Sequence, residues 1–178
     1  MNNYRIIDKP GRDEYLTNEP PYIDLLPADG LLLQHMEENC QSTKLLVCSL
    51  PEEKLQFRYA PGKWNIREIL VHIIDGERIF SYRALRFARN DKTILPGFNH
   101  IEFNIYSGAD RRSLENIFDE YKAVRHSTIT LFNGLDDEAL IRKGTAGKNE
   151  ASVRAIAYHI AGHELHHVNL IKKYYLQY

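Results

Sequence analysis

Residues near the end of the chain carry the clearest chemical signal. His163, Glu164 and His167 satisfy the pattern H-E-x-x-H, which holds zinc in many metalloproteases. Histidines four positions apart lie on the same face of a helix and can bind one ion together. A protease of this type takes a third ligand from downstream of the motif, but residues 168–178 contain no Asp, Glu or His. The protease interpretation therefore fails, and a third ligand must come from an earlier part of the chain.

Both histidines are expected to face the core of the protein. On a helical wheel, His163 and His167 lie within about 20° of the centre of the apolar stripe that contains Ile156 and Ile160. Each buried polar group that finds no partner costs about 1–3 kcal/mol. A shared metal ion satisfies one nitrogen of each imidazole at once. A purely structural histidine cluster is the alternative.

The third imidazole is expected from a different helix. The candidates outside the last helix are His35, His72, His100 and His126. His72 lies in an apolar run, about 12 Å along its helix, and reaches the depth of the histidine pair if the two helices run antiparallel. The other three histidines have polar neighbours or a loop position. We therefore predict a metal site formed by His72, His163 and His167.

Four amphipathic helices must position these residues. Apolar residues at spacings of three and four predict helices over about 29–50, 65–89, 113–132 and 152–174. Asn65 with Glu68, and Ser152, are suited to cap two of them. The only alternating, strand-like run is the short "LQFRYA" at 55–60. These elements predict an all-α four-helix bundle, and the segment 90–111 is long enough for a crossover that lets helices two and three run parallel.

Length and composition indicate one globular domain over residues 1–178, with an irregular arm over residues 1–28. The chain has 178 residues, 43% of them hydrophobic and 26% charged, and the arm contains Pro10, Pro20, Pro21 and Pro27. A net charge of −1 gives no basic surface for nucleic acid, and no apolar run reaches the ~20 residues that cross a membrane. Without a signal-peptide pattern, and with Cys40 and Cys48 too far apart to pair, we expect a cytoplasmic protein.

Four segments of the chain resemble the DinB/YfiT-like superfamily of metal-binding four-helix proteins. They are "APGKWNIREILVHIIDGER", "LPGFN", "RSLENIFDEYKAVRHSTITLFNGL" and "SVRAIAYHIAGHELHHVNLI", in the order of the family. The resemblance implies a divalent ion (zinc, nickel or iron) held by His72, His163 and His167, a long crossover between helices two and three, and a homodimer. It also implies small-molecule substrates, because the family includes S-transferases that use low-molecular-weight thiols such as bacillithiol, and metal-dependent hydrolases.

The expected function is therefore a metal-dependent thiol S-transferase or hydrolase acting on small electrophiles. The alternative is a non-catalytic, stress-related metal-binding protein in which the ion is structural. Glu164 is the candidate general base, or else a solvated residue at the edge of the stripe. Arg83 and Arg86 are candidates to hold the carboxylates of a thiol cofactor, with a solvated helix end as the alternative. Asp75 is a candidate to orient an imidazole, and Glu77, within an apolar stripe, is expected to pair with an arginine.

Overall fold

Four long α-helices pack into a bundle in a computed structural model of the protein, which describes residues 4–15 and 22–176. They are α1 (Leu32–Cys48), α3 (Ile66–Ala88), α5 (Leu114–Asn133) and α7 (Val153–Tyr174). Short helices α2 (Glu52–Gln56), α4 (His100–Tyr106) and α6 (Asp137–Ile141), and an antiparallel hairpin of β1 (Lys143–Ala146) and β2 (Asn149–Ser152), join them. Short 3-10 turns occupy Arg12–Glu14, Tyr22–Leu25 and Ala109–Arg111. The predicted all-α four-helix bundle is confirmed.

Three of the four long helices, α3, α5 and α7, begin where the local sequence supplies a side-chain cap. The side chain of Asn65 accepts a hydrogen bond from the backbone N–H of Glu68, whose carboxylate accepts one from the N–H of Asn65. Ser113 and Ser152 accept from the N–H groups three residues downstream. Each such cap contributes about 1 kcal/mol to helix stability. All four long helices begin and end within one turn of their predicted positions.

The four helices form a square in which consecutive long helices are not all neighbours. α3 packs against α5 and α7, and α1 packs against the same two helices, so α1 and α3 lie on a diagonal. α3 and α7 run antiparallel. The hydroxyl of Tyr175, just after α7, donates to the carbonyl of Trp64, just before α3, at 2.5 Å. Toward the other end, the ring of Phe80 lies against that of His159 with centroids 4.3 Å apart.

α3 and α5 run parallel, as the crossover prediction allows. Arg78 of α3 pairs with Glu120 of α5, and further along both helices Ser81 bonds to Thr128 at 3.0 Å. The connection between the two helices must therefore return along the length of the bundle. It contains α4 and the turn at 109–111, which confirms the long crossover between the second and third long helices.

A polar layer divides the interior into two apolar clusters. One cluster includes Leu33, Met36, Phe87, Phe132 and Ile156, and the other includes Leu70, Ile73, Ile117, Tyr121 and Ile171. Between them, at the middle of the bundle, lie the buried side chains of Glu77, Arg125, Thr43 and Glu164. The imidazole cluster lies at the same level of α7, so the site and the polar layer share one cross-section of the bundle.

The one alternating run in the sequence does not form a strand, and the two strands among the described residues lie elsewhere. Residues 55–60 form the end of α2 and irregular backbone, whereas the hairpin occupies 143–152. Gly147 takes the first position of its two-residue turn with φ 62°, a conformation that favours glycine. The sequence "KGTAGKNEAS" lacks the alternating β-branched residues that mark a strand, so pattern reasoning could not find it.

The arm before α1 packs on the bundle in its described parts. Tyr22–Leu25 lies against α7, where Gly162 permits a close approach: a Cβ there would lie 2.2 Å from the carbonyl oxygen of Tyr22. Pro20 and Pro21, two of the four prolines of the predicted arm, lie outside the described residues. Within 4–15 and 22–176, none of the helices combines the length and apolar character that a bilayer crossing requires.

Candidate metal centre and its cavity

Three imidazoles converge between α3 and α7. Nε2 of His163 lies 3.0 Å from Nε2 of His72 and 3.0 Å from Nε2 of His167. One nitrogen from each ring lies within 4.8 Å of the others. The antiparallel packing of the two helices brings His72 to the depth of the i, i+4 pair, as the sequence indicated. In the parts of the chain that the structure describes, these are the three residues grouped closely enough to hold a metal ion.

Burial keeps these imidazoles neutral. His163 is 8% exposed and His167 is 9% exposed. Burial, with the nearby imidazole of His100, lowers the pKa of His72 to about 4. Burial and the neighbouring histidines lower the pKa of His167 to about 3 and hold that of His163 well below its usual value. Neutral imidazole is the form that donates a lone pair to a metal, so the site is in the binding form at neutral pH.

The spacing of the nitrogens fits a single divalent ion. Zinc–nitrogen bonds of about 2.0–2.1 Å in a tetrahedral site separate the ligand nitrogens by roughly 3.3 Å. The 3.0 Å separations here are close to that value. Uncharged rings at this distance also need a proton or a cation between each pair of lone pairs. Three protein ligands leave coordination positions open, as in catalytic rather than structural zinc sites.

Small and aromatic residues shape the surroundings of the cluster. Gly76 of α3 faces His163, and a Cβ at position 76 would lie 3.3 Å from Cε1 of that ring. The missing side chain therefore lets His163 approach α3. Trp64 covers the other side, with its ring centroid 4.8 Å from that of His72. Nδ1 of His167 is buried and has no hydrogen-bond partner among the described residues.

A cavity of about 550 Å³ leads to the imidazoles, a size that suits a small-molecule ligand. Its walls are mostly aromatic and apolar, and they come from the helices, the arm, the crossover and the hairpin. The lining includes Tyr15, Tyr22, Trp64, Phe80, Arg83, Phe87, Phe98, His100, Asn149, Glu150, His159 and the three clustered histidines. The cluster therefore lies at the wall of a ligand-sized chamber.

The two candidate arginines have different surroundings. Arg83 lines the cavity, with its guanidinium 5.2 Å from the ring of Phe80 and 5.5 Å from that of Phe98, and donates to the carbonyl of Pro96 at 3.0 Å. Arg86 pairs with Asp91 and bonds to the hydroxyl of Tyr82, and it is not among the cavity-lining residues. The cofactor-binding prediction for Arg86 thus has no support from its position.

Glu164 is buried, so its interpretation as a solvated residue is wrong. It is 0% exposed and accepts hydrogen bonds from Nη1 of Arg125 at 2.9 Å and from the hydroxyl of Thr43 at 2.8 Å. It is not among the residues that line the cavity, because its carboxylate is directed toward Thr43 of α1 and Arg125 of α5. Its carboxylate therefore has a structural partner instead of the position beside the imidazoles that a general base needs.

The same arginine confirms the pairing expected of Glu77. Nη2 of Arg125 donates to that carboxylate at 2.8 Å, with both side chains buried. Asp75 lies instead in a separate surface pocket with Glu102, Arg112 and Glu120. Burial raises the pKa of its carboxyl group. Asp75 is therefore not positioned to orient the clustered imidazoles.

Sequence reasoning did not assign His159 and Phe98 to the site. His159 lies one turn before His163, and the two rings are nearly parallel with centroids 6.0 Å apart. Its position on the flank of the apolar stripe was the available signal. Phe98 belongs to the crossover, whose path over the cavity no periodicity reveals.

The chain is similar to known proteins in sequence and in fold. It is 28% identical over 128 residues to a protein of Oceanobacillus iheyensis named "Putative metal-dependent hydrolase", across 71% of this chain and 73% of that protein. Its fold matches that of YfiT from Bacillus subtilis, described as "a probable metal-dependent hydrolase with an unusual four-helix bundle topology". That match has a TM-score of 0.74 at 15% identity and covers 96% of this chain and 93% of the other. The sequence model of the DinB superfamily matches residues 35–171, and the chain therefore belongs to the DinB superfamily.

Proposed function

We propose that this protein is a metal-dependent enzyme in which His72, His163 and His167 hold one divalent ion, zinc, nickel or ferrous iron. The observation that carries the proposal is the convergence of three neutral imidazoles, two buried and one half-buried, at the wall of a ligand-sized cavity. Relatives named as metal-dependent hydrolases support it. Such a donor set suits several transition metals, so the metal supplied in the cell decides among them.

The reaction we propose is thiol transfer to, or hydrolysis of, a small electrophile. A divalent ion at this site supplies a Lewis acid that lowers the pKa of a thiol or water molecule bound to it. The protein holds the imidazoles neutral by burial, and mostly aromatic and apolar residues form the walls of the chamber. A low-molecular-weight thiol such as bacillithiol is the proposed cosubstrate, and Cys40 and Cys48, both free thiols, fit a reducing cytoplasm.

Metal analysis followed by a turnover screen tests the proposal. The purified protein should contain close to one divalent ion per chain by elemental analysis. Loaded protein should accelerate the reaction of small thiols with epoxides or alkyl halides, or the hydrolysis of small esters and amides. His167→Ala should abolish both the bound ion and the turnover while the circular dichroism spectrum is retained. Full turnover by a metal-free His167→Ala protein would refute the proposal.

A structural metal is the second candidate function. His72 comes from α3 and the other two ligands come from α7, so an ion here would fasten two neighbouring helices. In that case, removing the metal should lower the melting temperature strongly, and no thiol should bind at the ion. A thiol that binds only to the loaded protein would favour the enzyme.

We also propose that the protein forms a homodimer. The exposed side chains of Ile101, Ile105 and Tyr106 on α4 form an apolar surface of the kind that subunit contacts cover. Light scattering coupled to gel filtration should give twice the mass of one chain. Replacing Ile105 with Glu should halve that mass if α4 lies in the interface, whereas a monomeric wild-type protein contradicts the proposal.

A further inference from the structure

Arg83 differs from the other half-buried arginines of the described residues in having no carboxylate partner. An ion pair with an Asp or Glu is formed by each of the others, which are Arg5, Arg86, Arg112, Arg142 and Arg154. The buried residues Arg67 and Arg125 are paired as well. Arg83 makes one described hydrogen bond, to the carbonyl of Pro96. A guanidinium carries five N–H donors and is stabilised most by an anion, so most of the binding capacity of Arg83 is unused.

The surroundings of this guanidinium favour the binding of an anionic ligand. Burial lowers the pKa of Arg83, which records the cost of removing its charge from water without an acid beside it. The rings of Phe80 and Phe98 lie 5.2 and 5.5 Å from the guanidinium carbon. In such surroundings of low polarity, attraction between opposite charges is stronger than at an open surface.

The arginine and the imidazole cluster belong to the same cavity. The ring of Phe80 contacts that of His159 in a tilted arrangement with centroids 4.3 Å apart. His159 lies parallel to His163 with centroids 6.0 Å apart, so a continuous wall of rings joins the two ends. Along α3, the seven residues from Gly76, which faces His163, to Arg83 correspond to about 10 Å. A ligand of about that length spans both ends.

The charge at the Arg83 end of the cavity favours a single negative charge on the ligand. Its charged lining residues, among those described, are Arg83 and Glu150, and Glu150 is exposed on the hairpin. One guanidinium balances one carboxylate, and its planar fork matches that group in a bidentate arrangement. A phosphate dianion would keep a second charge that this end of the cavity does not compensate.

We propose that Arg83 binds the carboxylate of a partly aromatic small molecule, with Phe80 and Phe98 against the body of the molecule and its other end at the imidazole cluster. The assignment of the reactive end rests on the proposed function. The carboxylate subsite depends on Arg83 and the two rings alone. It makes Arg83 the residue that selects acids over neutral analogues of the same shape.

A matched pair of ligands tests this selection. The probes are 4-(mercaptomethyl)benzoate and 4-(mercaptomethyl)benzamide, which differ in charge but hardly in shape. Trp64, the one tryptophan of the chain, lines the cavity, so its fluorescence reports binding in zinc-loaded protein and in protein treated with a chelator. Wild-type protein should bind the acid at least tenfold more tightly than the amide in both forms.

Substitutions test whether Arg83 itself causes the preference for the acid. Arg83→Met should bring the affinity for the acid down to that for the amide, whereas Arg83→Lys should keep part of the preference. Arg86 lies three residues further along α3 and outside the cavity. Arg86→Met should therefore keep the wild-type preference for the acid. Equal binding of the two probes by wild type, binding of neither, or a preference that survives in Arg83→Met would overturn the inference.

The two proposals fail in different ways. If the metal proposal is wrong, zinc neither binds stoichiometrically nor strengthens the binding of either thiol, and the acid preference of the chelated protein still reports on Arg83. If the carboxylate proposal is wrong, zinc strengthens the binding of both probes equally. The acid then binds no more tightly than the amide in either zinc-loaded or chelated protein.

Discussion

Nη1 of Arg125 donates a 2.9 Å hydrogen bond to the carboxylate of Glu164, the residue that follows His163 on α7. The same guanidinium holds Glu77, which follows Gly76, the residue that faces His163 from α3. The buried ion cluster therefore fixes α7 to α3 and α5 at the level where the imidazoles meet. Its carboxylates are not among the cavity-lining residues, but they lie on the two helices that carry the clustered histidines, and Arg125 joins them.

Removing the arginine from this cluster should be strongly destabilising. Arg125→Met leaves two buried carboxylates without their cation, and the loss of one partner from a buried ion pair costs about 3–5 kcal/mol. Urea unfolding of the metal-free protein measures the change. Arg12→Gln, in an exposed ion pair with Asp24, is the control and should leave the midpoint nearly unchanged. Equal midpoints for the two variants contradict the prediction.

A triple variant tests whether the cost arises from unpaired charge. Arg125→Met combined with Glu77→Leu and Glu164→Leu removes all three charges together and should recover most of the stability lost by the single change. If the triple variant is less stable than Arg125→Met alone, packing of these side chains, rather than compensation of charge, is what the cluster contributes.

Each clustered histidine should be needed for zinc binding. His72→Ala, His163→Ala and His167→Ala should each lower the zinc content of purified protein to near background, because two imidazoles alone bind the ion weakly. They should also abolish the rise in melting temperature on adding zinc, which for wild type reflects about 2.7 kcal/mol at a concentration 100 times Kd. His126→Ala changes an exposed histidine and should retain both signals.

The metal-free protein should lose stability as the pH falls below about 6.5. The pKa values of His72 and His167 are lowered to about 4 and about 3 in the folded state, so the unfolded chain binds protons first. Stability is therefore complete above the unfolded pKa of about 6.5 and falls toward pH 4 by up to ~1.4 kcal/mol per pH unit for each imidazole. Urea titrations with a chelator at pH 7, 6 and 5 measure it, and His72→Asn should flatten the dependence. A flat profile for wild type contradicts it.

Enlarging Gly76 should weaken metal binding more than folding. In Gly76→Val, the new side chain meets Cε1 of His163, which already lies 3.3 Å from the position of a Cβ, so the ring must move from its place in the cluster. We expect at least a tenfold lower zinc affinity by calorimetry and a smaller effect in Gly76→Ala. Gly97→Ala, where a Cβ meets nothing within 4 Å, is the control. Unchanged zinc affinity in Gly76→Val would show that His163 can bind from a shifted position.

The two cysteines should differ in reactivity. Burial raises the pKa of Cys40 to about 11, so only about a thousandth of this thiol is ionised at pH 8, whereas Cys48 is exposed. Iodoacetamide at pH 8 should modify Cys48 first, as mass spectrometry of peptides will show, and urea should make Cys40 react. Equal rates in the folded protein would mean that α1 opens readily around Cys40.

The sequence was sufficient to predict the four long helices and the convergence of the three imidazoles, but not which helices pack against each face. Apolar periodicity and caps such as Asn65 with Glu68 are local, so the helix bounds followed from them. The pairing of His163 with His167 follows from the helical period. Glu164 was misread because its position at the edge of the stripe does not show which helices cover that edge.

Arg83 and Arg86 illustrate the same limit. Both lie on α3, three residues apart, and their local sequences are alike. The crossover carries Pro96 and Phe98 to one of them and Asp91 to the other, and the path of an irregular segment depends on tertiary contacts. Their different roles therefore became visible only in three dimensions.

The hairpin at 143–152 contributes Ala146, Asn149, Glu150 and Ala151 to one wall of the cavity and none of the clustered histidines. Its turn and its cavity-lining residues up to Ala151 should thus be able to change during evolution, or be grafted from a relative, without altering the clustered histidines of α3 and α7, whereas Ser152 must still cap α7. We expect this exchangeable wall to be where members of one superfamily diverge in the molecules they accept while keeping the same reactive centre.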